Sequence, residues 1–278
     1  MKTEIITSAQ NPKVRNLLLL QEKSKARREQ GLFVVEGRRE LEHCLEAGFT
    51  VRTVFVCPAL AGEETLSSAS LRDPVRANAP ERVPSPAPLA IEIPESLYRK
   101  VAYRDSTEGI IAEVEARERS LEDLKLRENP LIVVLESVEK PGNLGAVLRS
   151  ADAAGADAVI VCDPLTDLYN PNLIRASLGG VFTVPTVCAS SAETIAWLRA
   201  RGIRILTAQL QDSSWYYDTD MTGGTALIMG TESTGLTNIW REAADAHIKI
   251  PMLGRLDSLN VSVSAAILLF EAVRQRNS

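Results

Sequence analysis

The 278-residue chain is poor in several kinds of residue, and each shortage excludes a class of protein. It holds four cysteines and two histidines, and aromatic residues make up 5% of it. Its longest apolar runs, 131–135 and 265–270, fall far short of the roughly 18 residues that a membrane-spanning helix needs. With 45% apolar and 24% charged residues, the composition excludes a disordered chain, a collagen and a disulfide-stapled mini-protein. The length is enough for two domains.

Cysteine and histidine are also too sparse and too scattered for a metal site. None of the cysteines lies within CxxC or metal-ligand spacing of another; they are Cys44, Cys57, Cys162 and Cys188. We therefore expect no bound metal, and thiols that are buried or half-buried in a reducing compartment. Residues 1–4 lead into no apolar signal segment, so we expect a cytoplasmic protein with no membrane partner.

Charge is distributed unevenly along the chain. The whole sequence has a net charge of −5, which at first argues against a nucleic-acid partner. Residues 1–39, however, contain nine Lys or Arg against four Glu and carry +5. The basic cluster at 23–28 follows a helix-like apolar stretch at 14–20. Two interpretations stay open, namely a solvated helix face or a surface that contacts nucleic-acid phosphates.

The first part of the chain reads as a small α/β domain. Strands are predicted at 33–37, Val51–Val56 and 109–114, with a helix between the first two that ends near residue 47. The region from about 59 to 94 is rich in Ala, Ser and Pro, and we expect a Pro-rich loop at about 74–90. The charged segment 115–129 ends at Pro130, so we assign residues 1–117 and 118–278 to separate domains.

Beyond that boundary, short apolar runs alternate with helical patterns. Strands are expected at 131–135, Ala158–Cys162, 203–208, 226–230 and 248–252, and helices at 144–154, 172–177, 192–201 and 262–276. This alternation predicts an α/β fold with a mostly parallel sheet and helices on both faces. Ligands of such sheets bind outside the carboxyl ends of the strands, so the loops that follow strands form the candidate site.

The loop after the first of these strands contains Pro141-Gly-Asn143 and leads into a helix that carries an arginine. We expect Asn143 at the N-cap of this helix. Val147 and Ala151 form its buried stripe, and Arg149 lies about 200° around the helix from Val147, so it need not belong to the core. The pattern is neither GxGxxG nor a Walker loop. Alone, it is equally consistent with an ordinary turn and a surface arginine.

The loop after the fourth strand places an acidic residue between two glycines, in the order Gly230, Glu232, Gly235 and Leu236. A tight loop at a strand end lets backbone groups line a pocket, and Glu232 can hold a cation or a neighbouring loop. This pattern by itself is not specific.

The loop after the last strand carries Ile250-Pro-Met252 and then Ser258-Leu-Asn260, directly before a long apolar helix. Helix capping accounts for one of Ser258 and Asn260. It does not account for the series of polar groups at alternate positions that continues into the helix.

Together the three loops resemble the three motifs of the SpoU (TrmH-like) RNA 2′-O-ribose methyltransferases, a family of the SPOUT superfamily. They match, in order, the PGN…R, GxExxGL and IPM…SLNVSV patterns. The resemblance spans about 130–278, and segments 6–14 and 33–37 are similar to the family's N-terminal substrate-binding domain. It implies a C-terminal trefoil knot, a homodimer formed through the C-terminal domain, and a smaller N-terminal α/β domain that binds RNA.

The resemblance also implies methyl transfer from S-adenosylmethionine (AdoMet) to a ribose 2′-hydroxyl of a structured RNA, either ribosomal or transfer RNA. Arg149 would lie nearest this hydroxyl. The resemblance implies that it acts either as the base or as an electrostatic activator. Because a guanidinium stays protonated in proteins, its chemistry favours stabilisation of the forming alkoxide. The other implied catalytic residues are Asn143, Ser258 and Asn260, which would orient Arg149 and the ribose, and Glu232, which would fix its loop. The implied cofactor-binding residues are Gly230, Ile250, Met252 and Leu259, with Thr207 as a further member.

Two other segments allow more than one interpretation. Segment 172–180 resembles a family region near the RNA, so Arg175 and Ser177 are either RNA contacts or plain surface and helix-capping residues. The aromatic run 215–217 either stacks on an exposed base or anchors its loop by packing.

Two other functions compete with the methyltransferase interpretation. The first is a non-catalytic RNA-binding or ribosome-assembly protein that retains the fold. Such a protein has no need of an intact Arg149, Glu232, Ser258 and Asn260. The second is an α/β enzyme with another nucleotide cofactor, against which the missing GxGxxG pattern argues.

Overall fold

The computed structural model describes residues 3–62, 88–103, 108–231, 234–256 and 258–277. The chain divides into two compact units. The first is formed by Met1–Arg117 and Leu168–Gly179, and the second by Glu118–Asp167 and Gly180–Ser278. Nearly all of the expected Pro-rich loop at 74–90 falls outside the described residues. Among those residues, no helix is long and apolar enough to cross a membrane.

The first unit is built on a five-stranded mixed sheet with the strand order β1-β4-β3-β5-β2. Its strands are β1 (Thr3–Ile5), β2 (Leu32–Glu36), β3 (Val51–Val56), β4 (Leu89–Glu92) and β5 (Ile110–Glu115), and its first helices are α1 (Pro12–Glu22), α2 (Ser24–Gln30), α3 (Arg38–Glu46) and α4 (Glu95–Val101). Strand β5 runs antiparallel to both β2 and β3. The predicted strands are confirmed to within one residue, while β1, β4 and α4 had not been predicted.

Fewer cations of the basic cluster at 23–28 are exposed than the sequence indicates. Arg27 is buried and donates hydrogen bonds to the carbonyl oxygens of Leu20 (2.6 Å) and Gln21 (3.1 Å). It therefore satisfies the last carbonyls of α1 and is not a phosphate contact. Several other cations form ion pairs, for example Lys25–Glu29 and Arg38–Glu42. Within the described part of the chain, Arg15 and Arg28 are exposed cations without an ion pair.

The second unit contains a seven-stranded, entirely parallel sheet with the order β10-β12-β9-β11-β6-β7-β8. The strands are β6 (Leu131–Glu136), β7 (Ala158–Cys162), β8 (Thr186–Ala189), β9 (Arg204–Ala208), β10 (Ser214–Trp215), β11 (Thr225–Met229) and β12 (Ala246–Lys249). The helices from here on are α5 (Pro141–Ala153), α6 (Pro171–Ala176), α7 (Gly180–Thr183), α8 (Ser191–Ala200), α9 (Asn238–Ala243) and α10 (Val261–Arg276). The α/β fold with a mostly parallel sheet is confirmed. The trefoil knot stays a prediction.

One predicted strand is displaced toward the N-terminus. The run 248–252 was expected to be extended, but β12 ends at Lys249. Pro251 has no backbone N–H to donate to a neighbouring strand, so residues 250–252 leave the sheet. This departure places Ile250 and Met252 beyond the carboxyl end of β12, where ligands of parallel sheets bind.

Helix α10 is fixed at its C-terminal end by one side chain. The guanidinium of Arg276 donates to the carbonyl oxygens of Met221, Asn129, Pro130 and Gly223, over 2.6–3.2 Å. Helix α10 also packs on α5. The two helices that carry the first and third motifs are therefore held in one arrangement.

Segment 168–179, which contains α6, belongs to the first unit although both of its flanks belong to the second. The ring of Tyr169 stacks on Phe33, with 4.2 Å between the ring centroids. The Tyr169 hydroxyl also donates to the carbonyl oxygen of Arg117 at 2.7 Å. Ser177 is buried and donates to the carbonyl oxygen of Ile174 at 3.0 Å. The observed contact of Ser177 is therefore that of a residue at a helix end and not of an RNA contact. Arg175 is exposed, and both of its interpretations stay open.

Candidate active site

The first motif begins its helix earlier than expected. Helix α5 starts at Pro141 and its N-cap is Lys140, so the expectation that Asn143 is the N-cap is wrong. Proline fits the first helical position because its fixed φ suits the helix and its missing N–H is not needed there. Asn143 therefore lies in the first turn. This shift frees its side chain for a partner outside the helix.

Arg149 lies on the exposed side of α5, opposite the buried Val147 and Ala151. Within the described residues its guanidinium has no hydrogen-bond or ion-pair partner. A guanidinium held on a rigid helix is a protonated donor with five N–H groups. Arg149 is thus available to an anionic group outside the protein.

The third motif contacts the first through two asparagines. Asn260 is the N-cap of α10, and its Oδ1 accepts from the backbone N–H of Ser262 at 3.0 Å. Its Nδ2 donates to Oδ1 of Asn143 at 3.1 Å. The oxygen of the Asn260 amide thus caps α10, and its nitrogen connects α10 to α5. The hydrogen bond brings together two residues that the sequence had placed in one site.

The second motif forms a loop so tight that its first residue must be glycine. A Cβ on Gly230 would lie 2.2 Å from the carbonyl carbon and oxygen of Gly235. Gly235 has a φ of +68°, a backbone conformation that favours glycine. Its N–H donates to the carbonyl oxygen of Thr231 at 3.1 Å and closes the loop. Glu232 lies outside the described residues.

A cavity of about 410 Å³ opens at the carboxyl ends of β9, β11 and β12. Five of the predicted site residues line it, namely Gly230, Ile250, Met252, Ser258 and Leu259. Much of the remaining wall is apolar and includes Leu236, Ile248, Val261 and Leu268. Its volume and mainly apolar wall are typical of a small-molecule site.

Thr207 does not belong to this cavity. It is fully buried, and its hydroxyl forms a 2.6 Å hydrogen bond with Nδ1 of His247 on the neighbouring strand. The structure thus does not bring Thr207 together with the other predicted cofactor residues. The residues that follow in the same segment, Ala208–Gln211, line the cavity instead.

A second cavity of about 270 Å³ adjoins the first. Asn143 lines it, together with residues at the end of β6 and in the loop that follows, including Glu136 and Lys140. Both cavities are lined by Gly230, Thr231 and Val261. The small-molecule cavity and the cavity beside the Asn143–Asn260 pair therefore share a wall.

A buried carboxylate that the sequence analysis did not single out holds the second motif in place. Glu136 is the last residue of β6, and its two oxygens accept from the backbone N–H (2.9 Å) and the hydroxyl (2.6 Å) of Thr237. Thr237 is the N-cap of α9, directly after the Gly230–Leu236 loop. The signal was an acidic residue at the end of an otherwise apolar strand.

The cysteines take no part in this site. All four are free. Burial raises the pKa of the Cys162 thiol to about 12, so it stays protonated and unreactive near neutral pH. Within the described ranges, no group of three or more His, Cys, Asp or Glu side chains could hold a metal ion.

The aromatic run at 215–217 is less packed than a loop anchor would be. Trp215 and Tyr217 are 41% and 46% exposed. Their rings stack with 6.4 Å between centroids, and Nζ of Lys249 lies 4.8 Å from the centroid of the Trp215 ring. These two rings therefore pack on their neighbours while remaining partly exposed, and both interpretations, loop packing and contact with a base, stay predictions.

The fold is of the α/β class with a cavity at the carboxyl ends of its parallel strands, and comparison with known proteins gives its family. Residues 130–270 match the SpoU rRNA Methylase family, and residues 11–112 match the MRM3-like substrate binding domain. The chain belongs to the SpoU rRNA methylase family, which confirms the resemblance seen in the three motifs.

Full-length relatives agree with this assignment. A 23S rRNA (uridine(2479)-2′-O)-methyltransferase of Streptomyces viridochromogenes is 33% identical over 254 residues, which cover 89% of this chain and 84% of the relative. A crystal structure of an RNA 2′-O ribose methyltransferase is 38% identical with a TM-score of 0.80 and covers 99% of this chain and 100% of its own. An AdoMet-bound rRNA methyltransferase from Sinorhizobium meliloti is 31% identical with a TM-score of 0.84, and covers 98% of both chains.

AdoMet is the cofactor of this enzyme, and the larger cavity fits it. The apolar wall of this cavity suits an adenine ring. Because Gly230 has no Cβ, the loop of the second motif can close against its own backbone beside the cavity. Oε1 of Gln209, a lining residue, is buried and has no hydrogen-bond partner among the described residues. A polar ligand would satisfy it.

Proposed function

We propose that the protein transfers the methyl group of AdoMet to a ribose 2′-hydroxyl of ribosomal RNA. The observation that carries this proposal is the hydrogen bond between Asn143 and Asn260, next to a wall that two cavities share. The ribosomal target is supported by the names of the relatives, including the uridine-specific enzyme of Streptomyces viridochromogenes. AdoMet supplies a methyl group on a positively charged sulfur, which makes its carbon electrophilic.

The side chains of this protein position the acceptor. Asn143 and Asn260 form a fixed polar pair that would hold the ribose, and exposed Ser258 adds a hydroxyl. Arg149 would lie beside the 2′-oxygen and the adjacent phosphate. As a permanent cation it would stabilise negative charge on the oxygen as the hydroxyl proton leaves to solvent. Glu232 would fix the second motif. Cofactor binding is assigned to Gly230, Ile250, Met252 and Leu259, with no role for Thr207.

The first unit would bind the RNA around the target nucleotide. Its match to a substrate-binding domain and the exposed, unpaired Arg15 and Arg28 support this role. Substitution of both arginines by glutamine should weaken RNA binding and reduce its salt dependence, since fewer counterions would be released. An unchanged salt slope would assign both arginines to a solvated face.

The active protein would be a homodimer formed through the second unit, in the cytoplasm where ribosomal RNA is modified. Val263 and Phe270 are 46% and 48% exposed and, seven residues apart, lie on one face of α10. Leu253 and Leu256 in the preceding loop are 96% and 77% exposed. Exposed apolar surface of this extent is typical of an interaction site. Sedimentation that shows a dimer in the wild type and a monomer in Phe270→Glu would support the proposal, and a monomeric wild type would overturn it.

The experiment for the activity uses radiolabelled AdoMet with unmodified ribosomal RNA and unmodified transfer RNA, followed by mapping of the 2′-O-methyl group. Label in one ribosomal nucleotide is the expected result. Label in transfer RNA alone would overturn the ribosomal target but retain the chemistry. Cofactor binding without transfer to any RNA would favour the non-catalytic RNA-binding protein.

A further inference from the structure

The larger cavity has a polar corner that none of the three motifs includes. Arg241 of α9 lies there with Gln209 and Gln211 from the segment after β9. One terminal nitrogen of Arg241 is 3.4 Å from Oε1 of Gln211, and Nε2 of Gln209 donates to the carbonyl oxygen of Gln211 at 3.0 Å. The three residues therefore form one connected cluster on the cavity wall, through the side chain and the backbone carbonyl of Gln211.

This cluster has one unsatisfied donor and one unsatisfied acceptor. Nε of Arg241 and Oε1 of Gln209 are both buried and have no hydrogen-bond partner in the part of the chain that the structure describes. A buried polar group without a partner destabilises the protein, so two such groups in one corner indicate a polar ligand. Small rotations of either side chain would turn these atoms toward the cavity that both residues line.

The charge of the wall indicates which ligand group belongs there. The described lining of this cavity contains no Asp or Glu. Among the described residues, Arg241 has no ion-pair partner. The other lining cation, Lys249, lies over the ring of Trp215. A guanidinium without a counter-ion, next to a free carbonyl oxygen, complements a group that carries an anion and an ammonium side by side.

We propose that Arg241 and Gln209 bind the α-amino-acid end of AdoMet. This inference rests on the proposed function for the identity of the ligand. Arg241 would pair with the α-carboxylate, which is the anionic group of AdoMet, and Oε1 of Gln209 would accept from the α-ammonium. Gln211 holds both side chains in position. The adenine end would then contact the apolar part of the wall.

The test compares two ligands that differ in this end. S-adenosylhomocysteine carries the amino-acid group, whereas 5′-methylthioadenosine lacks it. Their dissociation constants are measured by calorimetry for the wild type, Arg241→Gln and Gln209→Leu. Arg241→Gln should weaken S-adenosylhomocysteine binding by about tenfold or more, as expected for a charge-assisted hydrogen bond. Binding of 5′-methylthioadenosine should not change, which also shows that the variant is folded.

Arg199→Gln is the matched control, because Arg199 is exposed at the end of α8 and outside the cavity. It should leave both constants unchanged. Equal weakening of both ligands in Arg241→Gln, or of neither, would overturn the proposal. Absence of RNA methylation by a wild type that binds S-adenosylhomocysteine would contradict the proposed function instead, so the two failures are distinguishable.

Discussion

Asn260 and Asn143 are 117 residues apart in sequence, and the amide nitrogen of the first donates to the amide oxygen of the second at 3.1 Å. The orientation of the Asn260 amide is set by its own helix, because its oxygen caps the N-terminus of α10. Its nitrogen is thereby directed toward α5. A local capping interaction thus determines a contact between two motifs that are distant in the chain.

Asn260→Asp should separate these two roles. A carboxylate caps a helix as well as an amide does, but it cannot donate to Asn143. We expect an unchanged melting temperature and a single-turnover methylation rate at least about tenfold lower, because the acceptor site loses its orientation. Asn170→Asp is the control, since Asn170 caps α6 in the same way outside the predicted site. A variant as fast as the wild type would remove the asparagine pair from the mechanism.

Arg149→Ala should abolish most of the transfer without destabilising the protein. The side chain is exposed and has no partner among the described residues, so its loss should change stability by less than about 0.5 kcal/mol. Loss of an electrostatic donor at the reacting oxygen should lower the rate by about 100-fold or more. Single-turnover rates measure the loss of transfer. Calorimetry should show unchanged AdoMet binding, as expected of a variant that is still folded. Arg199→Ala is the surface control, and equal rates for both variants would exclude the catalytic role.

Gly230→Ala should prevent AdoMet binding through a backbone clash. The new Cβ would meet the Gly235 carbonyl group at 2.2 Å, and neither backbone segment can give way without opening the loop. We expect affinity for AdoMet to fall by at least about tenfold. Gly223→Ala is the matched control because nothing lies within 4 Å of its added Cβ. Retained affinity in Gly230→Ala would show that the loop does not shape the cavity.

Asp157 should contribute stability that is lost in acid. Burial alone would raise the pKa of Asp157, but hydrogen bonds from Arg127 and from the backbone N–H of Leu131 outweigh it and hold that pKa below its usual value. The contribution is therefore complete above the unfolded pKa of about 3.9 and disappears as pH falls through the folded value.

Urea unfolding of Asp157→Asn measures this contribution. At pH 7 the variant should be less stable than the wild type by about 1–3 kcal/mol. The difference should shrink as the pH is lowered below about 4, because the wild-type carboxylate is then protonated. Asp212→Asn, an exposed site, should show no such difference. If the difference in the free energy of unfolding between Asp157→Asn and the wild type did not depend on pH, the effect would be one of packing.

The sequence predicted the second unit well where its signals were local. Continuous apolar runs identified β6, β7, β9 and β11 to within a residue. Strand β8 was missed because four residues with an exposed cysteine give no clear pattern, and β10, with two residues, gives none.

The site was predictable as a set of residues but not as a set of contacts. Asn260 was recognised as a cap, whereas its bridge to Asn143 depends on how α5 and α10 pack. The burial of Thr207 and Arg27 is a tertiary property that the sequence does not indicate. The Thr207 hydroxyl forms a hydrogen bond with His247, and the Arg27 guanidinium donates to carbonyl oxygens at the end of α1. Arg241 and Gln209 carry no motif, and only the cavity reveals them.

Segment 168–179 makes the chain pass three times between the two units. A single cut at residue 118 would leave Phe33 without the ring of Tyr169 in one fragment and would leave α6 without its core in the other. Exchange of substrate-binding modules between related enzymes therefore cannot proceed by simple end-to-end fusion. If the first unit selects the RNA as proposed, a recombinant with a changed RNA target must inherit this twelve-residue insert together with the N-terminal part, so that target choice depends on two separate stretches of the gene.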